Sequence, residues 1–233
     1  MKKKVVLAVG AHPDDIDFGA GGTIAKWIEQ GAYVYYLVCT DGSRGSDDPQ
    51  MTHDKLAGIR RKEQEQAGKI LGIKKIFFLN HIDTQLVSDF KLKKDIAKVI
   101  KTVRPNILLT MNPALYYSEM FNFINHSDHR AAASAAMDAC FPLSRDRLTF
   151  PDHEKQGLRP HKTKELWLIG FEKKDYIVDI TKTFDKKLKA IAIHRSQFPD
   201  FPPVKKRLEE IAGYFGKGKG FKYAENFTVI KIS

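Results

Sequence analysis

The stretch KVVLAVGAHPDDID, from Lys4 to Asp17, carries the reading of the fold. A short apolar run, Lys4–Gly10, ends at a glycine and is followed at once by an imidazole and three carboxylates. A Val/Leu/Ala run without polar alternation reads as a strand covered on both faces, the kind found in parallel sheets. Working outward, the pattern repeats. Gly21–Gln30 begins a helix, Tyr33–Thr40 is a second strand, and Asp54–Leu71 is a periodic helix closed by Gly72. Ile76–Leu79 is a third strand, Lys91–Val103 a helix stopped at Pro105, and Asn106–Met111 a fourth strand. His129–Ala139 reads as a helix and Leu166–Phe171 as a fifth strand. The tail gives a strand near Tyr176–Ile180, a helix over Thr183–His194 and a last strand over Phe227–Ile232. This alternation predicts an α/β fold of Rossmann-like kind in one domain spanning 1–233. Its mostly parallel sheet carries helices on both faces, with a C-terminal strand–helix extension.

The composition narrows the classes. The 233 residues include 39 Lys and Arg against 28 Asp and Glu, a formal charge of +11. A basic excess fits polyanion binding or anionic small substrates. The lysines, however, lie singly on amphipathic faces: Leu92, Ile96, Val99, Ile100 and Val103 keep helical spacing, with Lys93, Lys94, Lys98 and Lys101 opposite. No run approaches the roughly 18 apolar residues of a membrane helix, so no membrane insertion is expected. Met1-Lys2-Lys3-Lys4 leads into an apolar run too short for a secretory signal. The two cysteines, Cys39 and Cys140, sit in apolar runs and form no CxxC, which excludes a disulfide scaffold or cysteine-rich zinc module. A cytoplasmic protein is expected.

Ligands of open α/β sheets bind at the carboxyl ends of the strands. The loop after the first strand would carry GxGxxG in a dinucleotide-binding fold, and here that fingerprint fails: Gly19-Ala20-Gly21-Gly22 comes late and runs into Thr23-Ile24. In its place stand His12, Asp14, Asp15 and Asp17. Adjacent carboxylates repel unless a cation or a shared proton separates them, although aspartates also favour helix N-termini. A second cluster, Asn125-His126-Ser127-Asp128-His129-Arg130, follows the fourth strand. Together, His12, Asp15 and one of His126 or His129 make two imidazoles, one carboxylate and an open position. That is a hydrolytic zinc site, with iron(II) the other metal such ligands suit.

These residues are where the chain resembles the LmbE-like, or PIG-L, metal-dependent N-acetylglucosamine deacetylases. Ala11-His12-Pro13-Asp14-Asp15 looks like that family's first motif and His126-Ser127-Asp128-His129-Arg130 like its second. Thr40-Asp41-Gly42-Ser43-Arg44-Gly45, Arg60 with Glu63, Asp83, and His194-Arg195-Ser196-Gln197 also have family counterparts. Two positions depart: Asp17 stands where the family commonly has Glu, and Ser127 where it has Pro. The resemblance implies one divalent metal held by His12, Asp15 and His129, with Asp14 as general base. It implies that His126, oriented by Asp128, stabilises the oxyanion or protonates the leaving amine. The reaction implied is removal of the N-acetyl group from an N-acetylglucosamine-type conjugate by metal-activated water. That chemistry suits an amide, a poor electrophile that needs a Lewis acid, a base and a charge-stabilising donor.

Asp41, Arg44, Arg60, Asn112 and His194 complete the candidates, as substrate contacts. The stretch Met111–Phe123, with Tyr116, Tyr117, Phe121 and Phe123, offers an aromatic wall for a sugar ring. Arg44 and Arg60 lead to the expectation of an anionic aglycone. A homo-oligomer acting on a small amino-sugar conjugate, without nucleic acid, is the expected form. The rival readings are a basic nucleotide- or nucleic-acid-binding Rossmann domain, which lacks a phosphate loop and aromatic interleaving, and a catalytically silent sugar-binding homologue.

Overall fold

The computed structural model describes residues 3–172 and 175–232. In chain order its elements are β1 (Val5–Gly10), α1 (Asp15–Glu29), β2 (Tyr33–Thr40), α2 (His53–Leu71), β3 (Lys75–His81), α3 (Phe90–Val103), β4 (Ile107–Met111), β5 (Tyr117–Ser118), β6 (Phe123–Ile124), α4 (Ser127–Asp138), α5 (Pro151–Lys155), β7 (Glu165–Ile169), β8 (Tyr176–Asp179), α6 (Phe184–Ile191), α7 (Phe201–Gly216) and β9 (Ala224–Lys231). The main sheet runs β3-β2-β1-β4-β7-β9-β8. Its strands from β3 to β7 are parallel, and β9 runs antiparallel to both β7 and β8. β5 and β6 make a small separate hairpin.

Alternation along β1 divides the core. Val6 and Ala8 face a layer built with Ala20 and Ile24 of α1, Leu71 of α2, Leu188 of α6 and Leu208 of α7. Leu7 and Val9 face the other layer, with Leu92, Ile96 and Ile100 of α3 and Ala132 and Ala136 of α4. Both faces of β1 and β4 are therefore covered, which is why their sequences are continuous apolar runs. The chain steps from β1 outward to β3, then returns to place β4 on the other side of β1. The loops after β1 and β4 consequently diverge at the sheet's switch point, where such folds open a crevice.

The short β5, β6 and α5 are unassigned in the sequence reading, and two longer elements also differ from it. The first helix starts at Asp15, ahead of the expected Gly21, and runs through Gly19-Ala20-Gly21-Gly22. Glycine lowers helix propensity by roughly 1 kcal/mol each, but here the surroundings demand it. A Cβ on Gly19 would lie 2.7 Å from Ile169 Cδ1, and one on Gly22 would lie 2.7 Å from Ile180 Cδ1 and 2.9 Å from Ile180 Cβ. The glycines let α1 lie close against the sheet end and the segment beyond β8. Gly22→Ala should therefore destabilise, by about 1–3 kcal/mol of overpacking, although alanine is the better helix former. Urea unfolding with an equal or higher midpoint would show that α1 can move away.

The second difference is α7, which the sequence reading leaves unassigned. Pro202 and Pro203 look like breakers but occupy its first turn, where proline is tolerated. Behind them Val204, Leu208, Ile211, Ala212 and Phe215 keep the helical period, and this was the available signal.

Candidate metal centre and active site

Every cluster singled out in the sequence lies at the carboxyl ends of β1 to β4. Asp15 opens α1, and its Oδ2 accepts the backbone N–H groups of Ala11 (2.9 Å) and His12 (2.8 Å). Its Oδ1 is left facing His129 Nε2 at 3.1 Å. On the far side of that ring, Nδ1 sits 2.9 Å from Asn125 Oδ1. The amide oxygen accepts, so the proton belongs on Nδ1 and Nε2 keeps a lone pair. His12 is held in the complementary way. Its Nε2 is 3.1 Å from Asp83 Oδ1 and 3.3 Å from Asp128 Oδ2. Burial opposes protonation, but Asp15, Asp128 and Asp83 raise the His12 pKa well above its ordinary value. A neutral ring, as a metal ligand must be, would donate from Nε2 to those carboxylates and keep its lone pair on Nδ1, 3.7 Å from Asp15 Oδ2.

One donor atom from each of His12, Asp15 and His129 lies within 4.8 Å of the others. Two imidazoles with tautomers fixed by second partners, plus a carboxylate, fit a divalent cation with room for a further ligand. His12, Asp83 and His126 also come within that distance, but that set would have to take His12 Nε2 from Asp128. The titration follows the same contacts. Burial would raise the Asp15 carboxyl, yet His129 and His12 hold it well below the usual carboxylate range. Burial likewise opposes the shift at Asp83, where His12, the Arg44 N–H and Arg60 bring the pKa to about 2.

Asp14 stands between β1 and α1 with φ 105°, a strained value for a residue with a side chain. Its N–H donates to Gln64 Oε1 at 2.9 Å, and its Oδ2 accepts from Arg60 at 3.2 Å. Gln64 is itself fixed by Asp17, through Nε2 to Oδ2 at 2.9 Å. Burial pushes the Asp14 carboxyl up to about 6, against the pull of Arg60 and with the push of Asp15. That suits a general base near neutral pH.

Arg60 is buried and its terminal nitrogens are engaged: besides Asp14 it donates to the carbonyls of Pro13 (2.9 Å) and Gly42 (3.0 Å) and lies 3.9 Å from Asp83, while its Nε has no partner. Gly42 adopts φ +65°, and a Cβ there would stand 2.9 Å from Arg60 Nε. Arg60 thus holds Asp14 as well as bordering the polar cleft, and these contacts take up the terminal nitrogens that a substrate carboxylate would use. Its charge lowers the Asp14 pKa, so Arg60→Ala should raise that pKa. For Asp14 as the expected general base, which must be ionised, the acidic limb of kcat/KM should then move to higher pH, with Arg60→Lys restoring part of the shift. A limb that stays in place in Arg60→Ala would disconnect Arg60 from the base.

His126 caps α4, but Asp128 holds it differently from the expectation. The contact is the Asp128 backbone N–H, donating to His126 Nδ1 at 3.1 Å, while the carboxylate stands 4.0 Å away. That carboxylate serves His12 and accepts the Thr84 N–H (2.7 Å) and Leu86 N–H (3.3 Å). A backbone N–H can only donate, so His126 accepts at Nδ1, and a neutral ring carries its proton on Nε2. Burial and the nearby His12 lower its pKa, which favours that neutral form.

The outer candidates separate. Arg44 and Arg60 border a polar cleft with His12, Asp83, Thr84 and Gln197. Asn112 lines a second, apolar cavity. Asp41 is a turn former, its Oδ1 accepting from Ser43 and Asp83 backbone N–H groups. His194 is wholly buried behind the site, 2.9 Å from Asp17 Oδ2, and borders neither space. Asp17 also accepts the Tyr36 hydroxyl at 3.0 Å, so the shorter side chain at this position is fully partnered. Phe121 and Phe123 line the apolar cavity, while Tyr116 and Tyr117 are exposed and do not. The sequence reading missed Asn125 and Gln64 as supporting residues and gave Asp83 no role. Their signal is only their partner in space.

A buried carboxylate beside two histidines and an aspartate that could hold a metal ion, set at the switch point of a parallel sheet, is the arrangement of a metal-dependent hydrolase of α/β fold. Residues 7–140 match the family described as PIG-L, GlcNAc-PI de-N-acetylase, and the chain belongs to that family. It is 36% identical over 229 residues to the diacetylchitobiose deacetylase of Thermococcus kodakarensis, covering 97% of this chain and 83% of that protein. It is 30% identical over 203 residues to a probable N-acetyl-alpha-D-glucosaminyl L-malate deacetylase of Bacillus anthracis, covering 83% and 81%. Among solved structures, the N,N'-diacetylchitobiose deacetylase of Pyrococcus horikoshii superposes with a TM-score of 0.90 at 36% identity, covering 98% of this chain and 84% of that one.

Proposed function

We propose that this protein hydrolyses the N-acetyl amide of a small, neutral N-acetylglucosamine saccharide of the diacetylchitobiose kind, with zinc as its metal. The observation that carries the reading is a cleft that Asp14 lines together with His12, Asp15 and His129, with the Asp14 carboxyl lifted by burial to about 6. His12, Asp15 and His129 would hold the cation, which when bound would supply the Lewis acidity that an amide carbonyl and an attacking water need. Asp14 accepts the proton of the attacking water. Gln64 and Arg60 fix its backbone and carboxylate for that step. His126 Nε2–H serves the oxygen on which negative charge develops, since a donor placed there stabilises the transition state more than the ground state. The proton held by Asp14 then passes to the departing nitrogen.

Sequestration of Arg60 removes one of the two arginines that favoured an anionic aglycone. Arg44 remains exposed at the polar cleft and supports conjugates such as the malate glycoside as a second substrate class. The deciding experiment scores free amine from diacetylchitobiose, N-acetylglucosaminyl malate and free N-acetylglucosamine, with one divalent metal added at a time. No amine from any of them would remove the reading. Two buried free thiols, Cys39 and Cys140, support a cytoplasmic location. The exposed Tyr117, Met120 and Ile124 at the β5–β6 hairpin support self-association, which light scattering measures.

A further inference from the structure

The centre opens into two unlike spaces that share Asp14, Asp15, His126 and His129. One is the polar cleft of Arg44, Asp83, Thr84 and Gln197. The other is a cavity of about 400 Å³ walled mainly by Phe18, Met111, Leu115, Phe121, Ile169 and Ile211. An acetyl methyl is about the size of a water, whose share of liquid volume is about 30 Å³. It leaves the cavity almost unused. We propose that the apolar cavity is an acyl site, and that the enzyme also removes straight acyl chains longer than acetyl, of about four to six carbons, from the glucosamine nitrogen.

The assignment rests on the deacylase reading above and follows from what is bonded to each side of the amide. The nitrogen bears sugar carbon 2, whose neighbours carry oxygens at once, so the ring needs polar partners beside the centre. Placed among phenylalanines, its hydroxyls would lose hydrogen bonds to water without replacement. Among the described residues the polar cleft is the richer in such partners, with Arg44, Asp83, Thr84 and Gln197 beside the centre, whereas the apolar cavity offers Asn112, Asn125 and Arg207 among mostly apolar walls. The carbonyl carbon bears only the acyl chain, which gains from apolar walls. Those walls begin at the catalytic residues themselves, whereas an aglycone lies a full sugar ring away from the scissile bond. Arg207 stands at the exposed border of this cavity, one N–H donating to the Phe121 carbonyl and the guanidinium 5.7 Å from the Phe121 ring centre. The reaction is unchanged in kind. Water oxygen bonds to the carbonyl carbon, the C–N bond breaks, the nitrogen gains a proton and the chain leaves as a carboxylate.

The test compares N-acetyl, N-butanoyl and N-hexanoyl forms of one glucosamine disaccharide, scored as free amine, with an octyl glycoside of N-acetylglucosamine alongside. A buried methylene is worth at most about fourfold in kcat/KM, so the N-hexanoyl substrate should match or exceed the N-acetyl one. Ile211→Trp, which fills the cavity from α7, should lower the hexanoyl-to-acetyl ratio at least tenfold, and Met111→Phe serves if that variant does not fold. Hydrolysis of the N-acetyl form with stepwise tenfold losses for the longer chains would overturn the acyl site and leave the deacetylase reading standing. An octyl glycoside preference that Ile211→Trp abolishes would give the cavity to the aglycone instead, again overturning it. Inactivity on every form would overturn both.

Discussion

His12→Ala, Asp15→Ala and His129→Ala should each lose bound metal and activity together, with a fall in kcat/KM on the order of 10³ or more. The magnitude follows from losing several kcal/mol of Lewis-acid stabilisation, at about 1.4 kcal/mol per tenfold. A graded control separates ligands from the groups behind them. Asp128→Asn keeps all three donors but weakens the acceptor that holds His12 Nε2, so metal affinity should fall by only about 10–100-fold. Metal content by mass spectrometry and a competitive chelator titration read both effects. Full metal occupancy in any of the three alanine variants would remove that residue from the ligand set, and in His129→Ala it would move attention to His126.

Asp14→Asn should retain the metal and the fold while kcat drops by about 10²–10⁴, the range a positioned general base contributes. The amide oxygen can still accept from Arg60, so the local structure has no reason to open. The pH profile is the sharper readout. Asp14 must be ionised to accept a proton, and burial lifts its pKa to about 6. The parent kcat/KM should therefore fall as pH drops through a midpoint at or below about 6, since a neighbouring cation can only lower it. In Asp14→Asn this limb should vanish. Loss of metal in Asp14→Asn would make Asp14 a ligand, and a surviving limb would assign the base elsewhere.

Much of this was legible in the sequence, because the strongest signals are local. The apolar runs of β1 and β4 announce strands covered on both sides. The imidazoles and carboxylates that follow them have no good reason to stand at strand ends unless they bind something. The family resemblance then implied that His129 is the histidine that joins His12 and Asp15. The electrostatic roles were less accessible. Arg60 reads as a substrate arginine until its guanidinium is seen closed between Pro13, Gly42 and Asp14. Asp128 reads as a partner for His126 until its carboxylate is found on His12.

What the sequence by itself determined is the order of the main-sheet strands and of most of the helices between them, the residue types after β1 and β4, and the family resemblance. These depend on neighbours along the chain, on periodicity and on motif spacing. What only the tertiary structure decided is the tautomer of each histidine, the start of α1, and the division of the centre into a polar cleft and an apolar cavity. Each of those depends on groups far apart in sequence. Asn125 settles the proton on His129, Asp83 and Asp128 settle it on His12, and Ile169 and Ile180 select the glycines of α1. The cavity needs Phe18 from α1, Met111 from β4 and Ile211 from α7 to meet. Packing is non-local, so no window of sequence contains it.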